Sequence, residues 1–149
     1  MVQEILAWLD TASRSALFSI FAMLWCAATL VAGWRIFLKA GKPGWYAVVP
    51  LLNTYQRFDI AWEGMFGVGV IVLTVIAVYL SGLDISPRWV DFAATAAALL
   101  EVQGLYKLSR SFGHGFWFFV GLVFAHPVFL LILAFGESRY HGPRSAIKR

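Results

Sequence analysis

Two ionisable side chains stand deep inside apolar stretches of this sequence, Glu101 and His126. Glu101 lies about twelve residues past Trp89, hence about 18 Å along a helix. His126 lies about ten residues into the stretch 116–135, about 15 Å along by the same rise. In hydrocarbon a carboxylate costs at least about 2.5 kcal/mol on insertion scales, which makes it a functional hypothesis by default. Helices of these lengths bring both groups to one level, so the spacing predicts a Glu101–His126 contact. Such a pair can relay protons or cations, or can fix helix packing at about 1 kcal/mol; packing is the commoner use of a polar pair.

The remaining reactive side chains do not assemble into a catalytic set. Lys107, Ser109, Ser111 and His114 fall close together, but no Gly-x-Ser-x-Gly, His-Glu-x-x-His or Cys-x-x-Cys string accompanies them. Phe112-Gly113-His114-Gly115 is too short a glycine signal for a nucleotide. No metal-ligand set and no cofactor are expected, and catalytic residues are set at none. The "FWFF" run at 116–119 could pack against a pigment, a quinone or a lipid tail, although aromatics at such density usually face lipid.

These residues sit in a chain of 149 residues that is 60% hydrophobic and 13% charged, with mean hydropathy +0.74. A soluble domain carries about a quarter charged residues, and a chain this short could not hide so much apolar surface in one core. Lipid is therefore the expected solvent. The net charge of +4 comes from basic residues flanking apolar spans, which fits topology signals and anionic headgroups and argues against nucleic acid as a partner. Cys26, the single cysteine, can form no internal disulfide. The stretch 15–38 is too long for a signal-peptide core and lacks an Ala-x-Ala exit, so it reads as a retained span.

The pattern predicts an all-α, polytopic membrane bundle in one domain, 1–149. Its parts are an interfacial N-terminal helix at 1–14, a span at 15–38, a kinked interfacial helix at 43–62, spans at 64–83 and 89–112, a span or hairpin at 116–135, and a basic tail at 136–149. Gly64, Gly67 and Gly69, and Ala94, Ala97 and Ala98, form small faces that admit a neighbouring helix. The third span, with Asp91, Glu101, Gln103 and Lys107, is expected inside the bundle. Arg35, Lys39, Lys42 and Arg57 assign the first connection to the cytoplasm. A fourth full crossing then strands Arg139, Arg144, Lys148 and Arg149 outside, against the charge bias. A re-entrant hairpin turning at His126-Pro127 returns them inside, and covered backbone makes that permissible. Both arrangements stay open.

Residues 39–58, "KAGKPGWYAVVPLLNTYQRF", are too broken for a span and too apolar for an ordinary loop. Gly41 suits a helix C-cap and Pro43 a new first turn. Trp45 is an interface anchor. Pro50 removes a backbone donor, and the Asn53 amide can bond a freed carbonyl. Lys39, Lys42, Pro43, Gly44, Trp45, Pro50 and Asn53 thus form an interfacial signature.

That string resembles the signature of an uncharacterised family of small bacterial membrane proteins, Lys-Ala-Gly-x-Pro-Gly-Trp followed by Pro-x-x-Asn. "SFGHGFWFFVGLVF" and "LAFGESRYHGP" resemble two further motifs of that family, so the likeness covers about residues 35–143. A similar domain stands ahead of the catalytic region in some type I signal peptidases. The resemblance implies no established activity. The sequence ends before a Ser-Lys domain would begin, so peptidase activity is not carried over. The expectation is a non-enzymatic, multi-pass protein of the bacterial cytoplasmic membrane, an accessory or scaffold subunit with a membrane protein partner or a second copy of itself. The alternatives are a small oligomeric transporter or channel using Glu101 and His126, and a helper in protein export.

Overall fold

The computed structural model describes residues 2–83 and 87–143, with side chains from residue 14 onward. The described residues are helical, without a strand: α1 (Val2–Lys39), a 3-10 helix (Gly44–Ala47), α2 (Pro50–Ala61), α3 (Gly64–Ser81), α4 (Pro87–Ser111), α5 (Phe116–Phe124) and α6 (His126–Phe135). The Arg14–Lys39 part of α1 and all of α3 are long and apolar enough to cross a membrane.

Local chemistry explains where the helices stop. Gly41 takes φ 72°, Lys42 N–H donates to Phe37 O and Gly41 N–H to Leu38 O. This paired closure satisfies the last carbonyls of α1 and needs a left-handed residue, which glycine supplies most easily. Gly113, φ 79°, ends α4 in the same way, with His114 N–H on Ser109 O and Gly113 N–H on Arg110 O. The Phe-Gly-His-Gly string is a helix terminator.

The C-terminal ends of α1, α2, α4 and α6 gather at one end of the molecule, here called the basal end. From it the 3-10 helix climbs back along α1, with the Ala47 methyl against Gly33, about 9 Å above Lys39 at helical rise. The chain breaks there and returns as α2. Residues 116–135 repeat the manoeuvre: α5 rises, the helix breaks at Ala125, and α6 returns beside it, with the Phe118 and Phe129 rings 5.2 Å apart. His114 and Ser138, which flank this unit, touch at 2.7 Å. The apolar stretch 116–135 is therefore a helical hairpin.

The core lies where α1, the 3-10 helix, α2, α4 and the hairpin meet, around Ala32, Ile36, Phe37, Ile60, Leu108, Leu122 and Leu133. Backbones approach closely at Gly67, where a Cβ would stand 3.0 Å from Tyr55 Cα, and at Gly104, where it would meet the Phe58 ring at 2.7 Å. These two glycines let α2 lie between α3 and α4.

Four expectations change. The helix expected over 1–14 is the first part of the unbroken α1; the side chains of 1–13 lie outside the described residues, as do 84–86 of the short turn and 144–149 of the tail. The kinked helix of 43–62 is two helices, because Pro50 supplies no N–H to continue the 3-10 turn. α4, expected as an enclosed third span, is not enclosed: its Trp89, Phe92 and Leu99 are exposed, since α2, α3 and α5 leave that face uncovered. Of the small residues, Gly64, Gly67 and Ala97 are buried and Gly69 stands near Leu100, but Ala94 and Ala98 are exposed; Ala93 is α4's other buried alanine.

Candidate functional site

The three motif strings meet at the basal end and hold one another. Lys39, on the last turn of α1, turns its ammonium onto the end of α6 and donates to Leu133 O at 2.8 Å, Gly136 O at 2.7 Å and Ser138 O at 3.3 Å. The last carbonyls of a helix have no partner within it and carry the negative end of its dipole, so a lysine there satisfies both needs. Lys42 pairs with Asp59 of α2 at 2.8 Å. Tyr140 donates its hydroxyl to Ile60 O at 2.9 Å, and His141 N–H donates to Ser111 O at 2.8 Å. Burial, then the Asp59 carboxylate, raise the Tyr140 pKa, which keeps the phenol a donor. Burial, then the Lys39 ammonium, lower the His114 pKa, so the ring beside Ser138 is neutral at pH 7.

The basal serines do structural work. Ser109 and Ser111 are fully buried. Ser109 donates to Gly115 O at 3.2 Å. The Ser111 hydroxyl sits between Ala61 O at 3.0 Å and Lys107 O at 2.9 Å and donates to one at a time. Lys107 itself lies over the Trp62 ring, 4.9 Å from its centre. No nucleophile is presented by this cluster.

Above the clamp, where the two fold-back tips meet α1, lies a cavity of about 80 Å³ with Thr29, Gly33, Asn53, Arg57, His126 and Leu130 in its walls. One water needs about 10–15 Å³ of such space, so it can hold several. Arg57 reaches from α2 to α4 and pairs with both Glu101 carboxylate oxygens, at 2.6 and 2.8 Å. The two side chains are about three-quarters and two-thirds buried (25% and 32% exposed). Asn53 donates its amide to Ala47 O at 3.2 Å, closing the carbonyl end of the 3-10 helix that Pro50 interrupts. His126 Nδ1–H donates to Leu122 O at 3.1 Å, because a carbonyl only accepts, and Nε2 remains an acceptor. The cavity therefore offers guanidinium donors and the acceptors Asn53 Oδ1 and His126 Nε2, a set able to hydrogen-bond water or a small polar solute.

The expected Glu101–His126 contact does not form. Arg57 takes the carboxylate, and a charge-assisted pair outcompetes a neutral imidazole; His126 is spent on the broken end of α5. The position of Arg57 among basic residues makes it read as a topology signal. Its signal was available: a carboxylate at that height needs a cation, and Arg57 lies on the Pro50-led helix, one turn past Asn53. Of the signature residues, Lys39, Lys42 and Asn53 make side-chain bonds, Pro43 and Pro50 start helices, Gly44 lies against Trp34, and Trp45 is exposed and packs on Tyr46. Among the described residues, no group of three or more His, Cys, Asp or Glu could hold a metal ion.

A family model described as a family of unknown function, DUF5684, matches residues 45–143. No curated protein and no solved structure matches the chain.

Proposed function

From the premise that this chain belongs to the DUF5684 family of unknown function, we propose that it is a non-enzymatic, multi-pass protein of the bacterial cytoplasmic membrane. In this reading it acts as an accessory subunit that packs against a larger membrane complex. Spans α1, α3 and α4 cross the bilayer, the basal end faces the cytoplasm, and the two fold-back units enter from that side and return. Their backbone breaks are covered by protein, as the hydrocarbon demands. The basic tail then stays inside, which removes the conflict a fourth crossing creates.

The observation that carries the reading is the freedom of α1. Only 6% of its most apolar stretch is buried, although its basal turn is clamped by Lys39. Ser15, Ser19, Ala22 and Cys26 recur at helical spacing along this free part, in line with Thr29 and Gly33 at the cavity. Small residues at such intervals suit close helix contact in lipid, and the fold-back units reach only the lower half of α1. A partner helix would occupy the upper half. The motif residues, by contrast, are consumed in holding the protein's own elements. The resemblance of the Lys39–Asn53 string to the region ahead of some type I signal peptidases points to the export machinery as the first place to seek the complex.

Purification in mild detergent followed by mass spectrometry tests the reading. A defined partner is expected with the native chain and is expected to be lost in Ala22→Trp, which blocks the small face. A chain that runs alone, or a partner indifferent to Ala22→Trp, overturns it.

The cavity favours a second reading, a small transporter or channel. Solute or proton flux in vesicles, abolished by His126→Asn, which keeps a donor for Leu122 O, would replace the accessory role.

A further inference from the structure

On the outer side of α1, away from the cavity, a groove of about 330 Å³ runs between Leu30, Val31, Trp34, Arg35, Val48 and Phe135. It lies within the size range of small-molecule sites and far exceeds a water site. Its wall is apolar throughout, with Arg35 lining it through its aliphatic stem. The Arg35 guanidinium stands over the Phe135 ring, 5.2 Å from its centre, one helical turn above Lys39. Lys39 is saturated by three carbonyls, whereas no carboxylate among the described residues pairs with Arg35. Exposed indoles, Trp34 at the groove and Trp45 nearby at 43% and 49%, mark this height as a headgroup boundary.

We infer that this groove is a binding site for an anionic diacyl phospholipid. An acyl chain lies along Leu30, Val31 and Trp34, and the phosphodiester meets Arg35. A guanidinium presents a planar fork that matches phosphate oxygens, and here no carboxylate among the described residues occupies it. The charge selects an anionic lipid, and the apolar wall selects a chain-bearing one over free phosphate. The inference rests on the membrane reading above but on none of its claims about partners.

The test is native mass spectrometry of the detergent-solubilised protein with phosphatidylglycerol or phosphatidylcholine added. Phosphatidylglycerol is expected to be retained about fivefold better, the scale of one basic side chain at an anionic surface. Arg35→Gln is expected to bring the two lipids level, and Arg35→Lys to keep part of the preference. Val31→Trp, which fills the groove and leaves the charge, is expected to lower retention of phosphatidylglycerol as well. Equal retention of both lipids by the native chain overturns the site, and so does a preference that survives Arg35→Gln or a retention of phosphatidylglycerol that Val31→Trp leaves unchanged. A protein soluble without detergent would overturn the membrane reading instead, so the two failures are distinct.

Discussion

Residues 43–61 and residues 116–135 each rise from the basal end as one helix, break, and return as a second helix led by a proline, Pro50 in one and Pro127 in the other. Each closes its break with a side chain from the returning arm, Asn53 on Ala47 O and His126 on Leu122 O. Each also tucks a glycine under an aromatic ring, Gly44 under Trp34 and Gly121 under Phe129. What differs is the returning arm. α2 carries Arg57 and Asp59 and is fixed by ion pairs to Glu101 and Lys42. α6, "HPVFLLILAF", has no charged side chain and is fixed by a lysine that α1 lends to its carbonyls. The same punctuation can thus be seated from within the unit or from outside it.

Lys39→Met should separate the two units most sharply. It leaves three carbonyls at the end of α6 without their charged donor, at a cost of about 3 kcal/mol. Hydrogen exchange should rise across 116–138 and leave 50–61 near its native rate; equal loosening of both units would erase the contrast. Gly121→Val and Gly44→Val should each cost about 2 kcal/mol by overpacking, read as lowered thermal stability. Similar losses would show that the two tucks are equivalent. Glu101→Gln and Arg57→Gln, taken with the double variant, should give a coupling of about 1 kcal/mol, because the pair is only partly buried. That loss should appear as exchange in α2 and not in α6.

The smallest effect is that of pH. The His114 pKa is held below its ordinary value, so the folded chain prefers the neutral ring. Its contribution is complete above about pH 6.5 and is lost as pH falls below that point, where the unfolded chain takes the proton first. The stability of the hairpin base should therefore decline modestly from pH 7 to pH 5 in the native chain, and less in His114→Gln.

The breaks were the legible part of this molecule. Gly41 and Pro127 act through their own backbone, so a single chain suffices to read them; Pro50 reads as a kink where it makes a break, and Gly113 gives its helix stop only in the structure. The pairings were less accessible. Glu101 was visible as a buried charge, but its partner depends on α2 lying between α3 and α4, which Gly67 and Gly104 permit through contacts far apart in sequence. Lys39 reads locally as one of several basic residues after a span. Only the return of α6 to the foot of α1 turns it into a cap. The exposure of Ala94 and Ala98 reflects a helix rotation that composition does not encode.

The bond from Lys39 to Leu133 O joins residues 94 positions apart. During synthesis the lysine is therefore made well before its acceptors and left with its charge unanswered until α6 has emerged. The second hairpin arrives after that lysine, and its carbonyls give hydrogen-bond acceptors to a charge that had been waiting at the foot of the first helix.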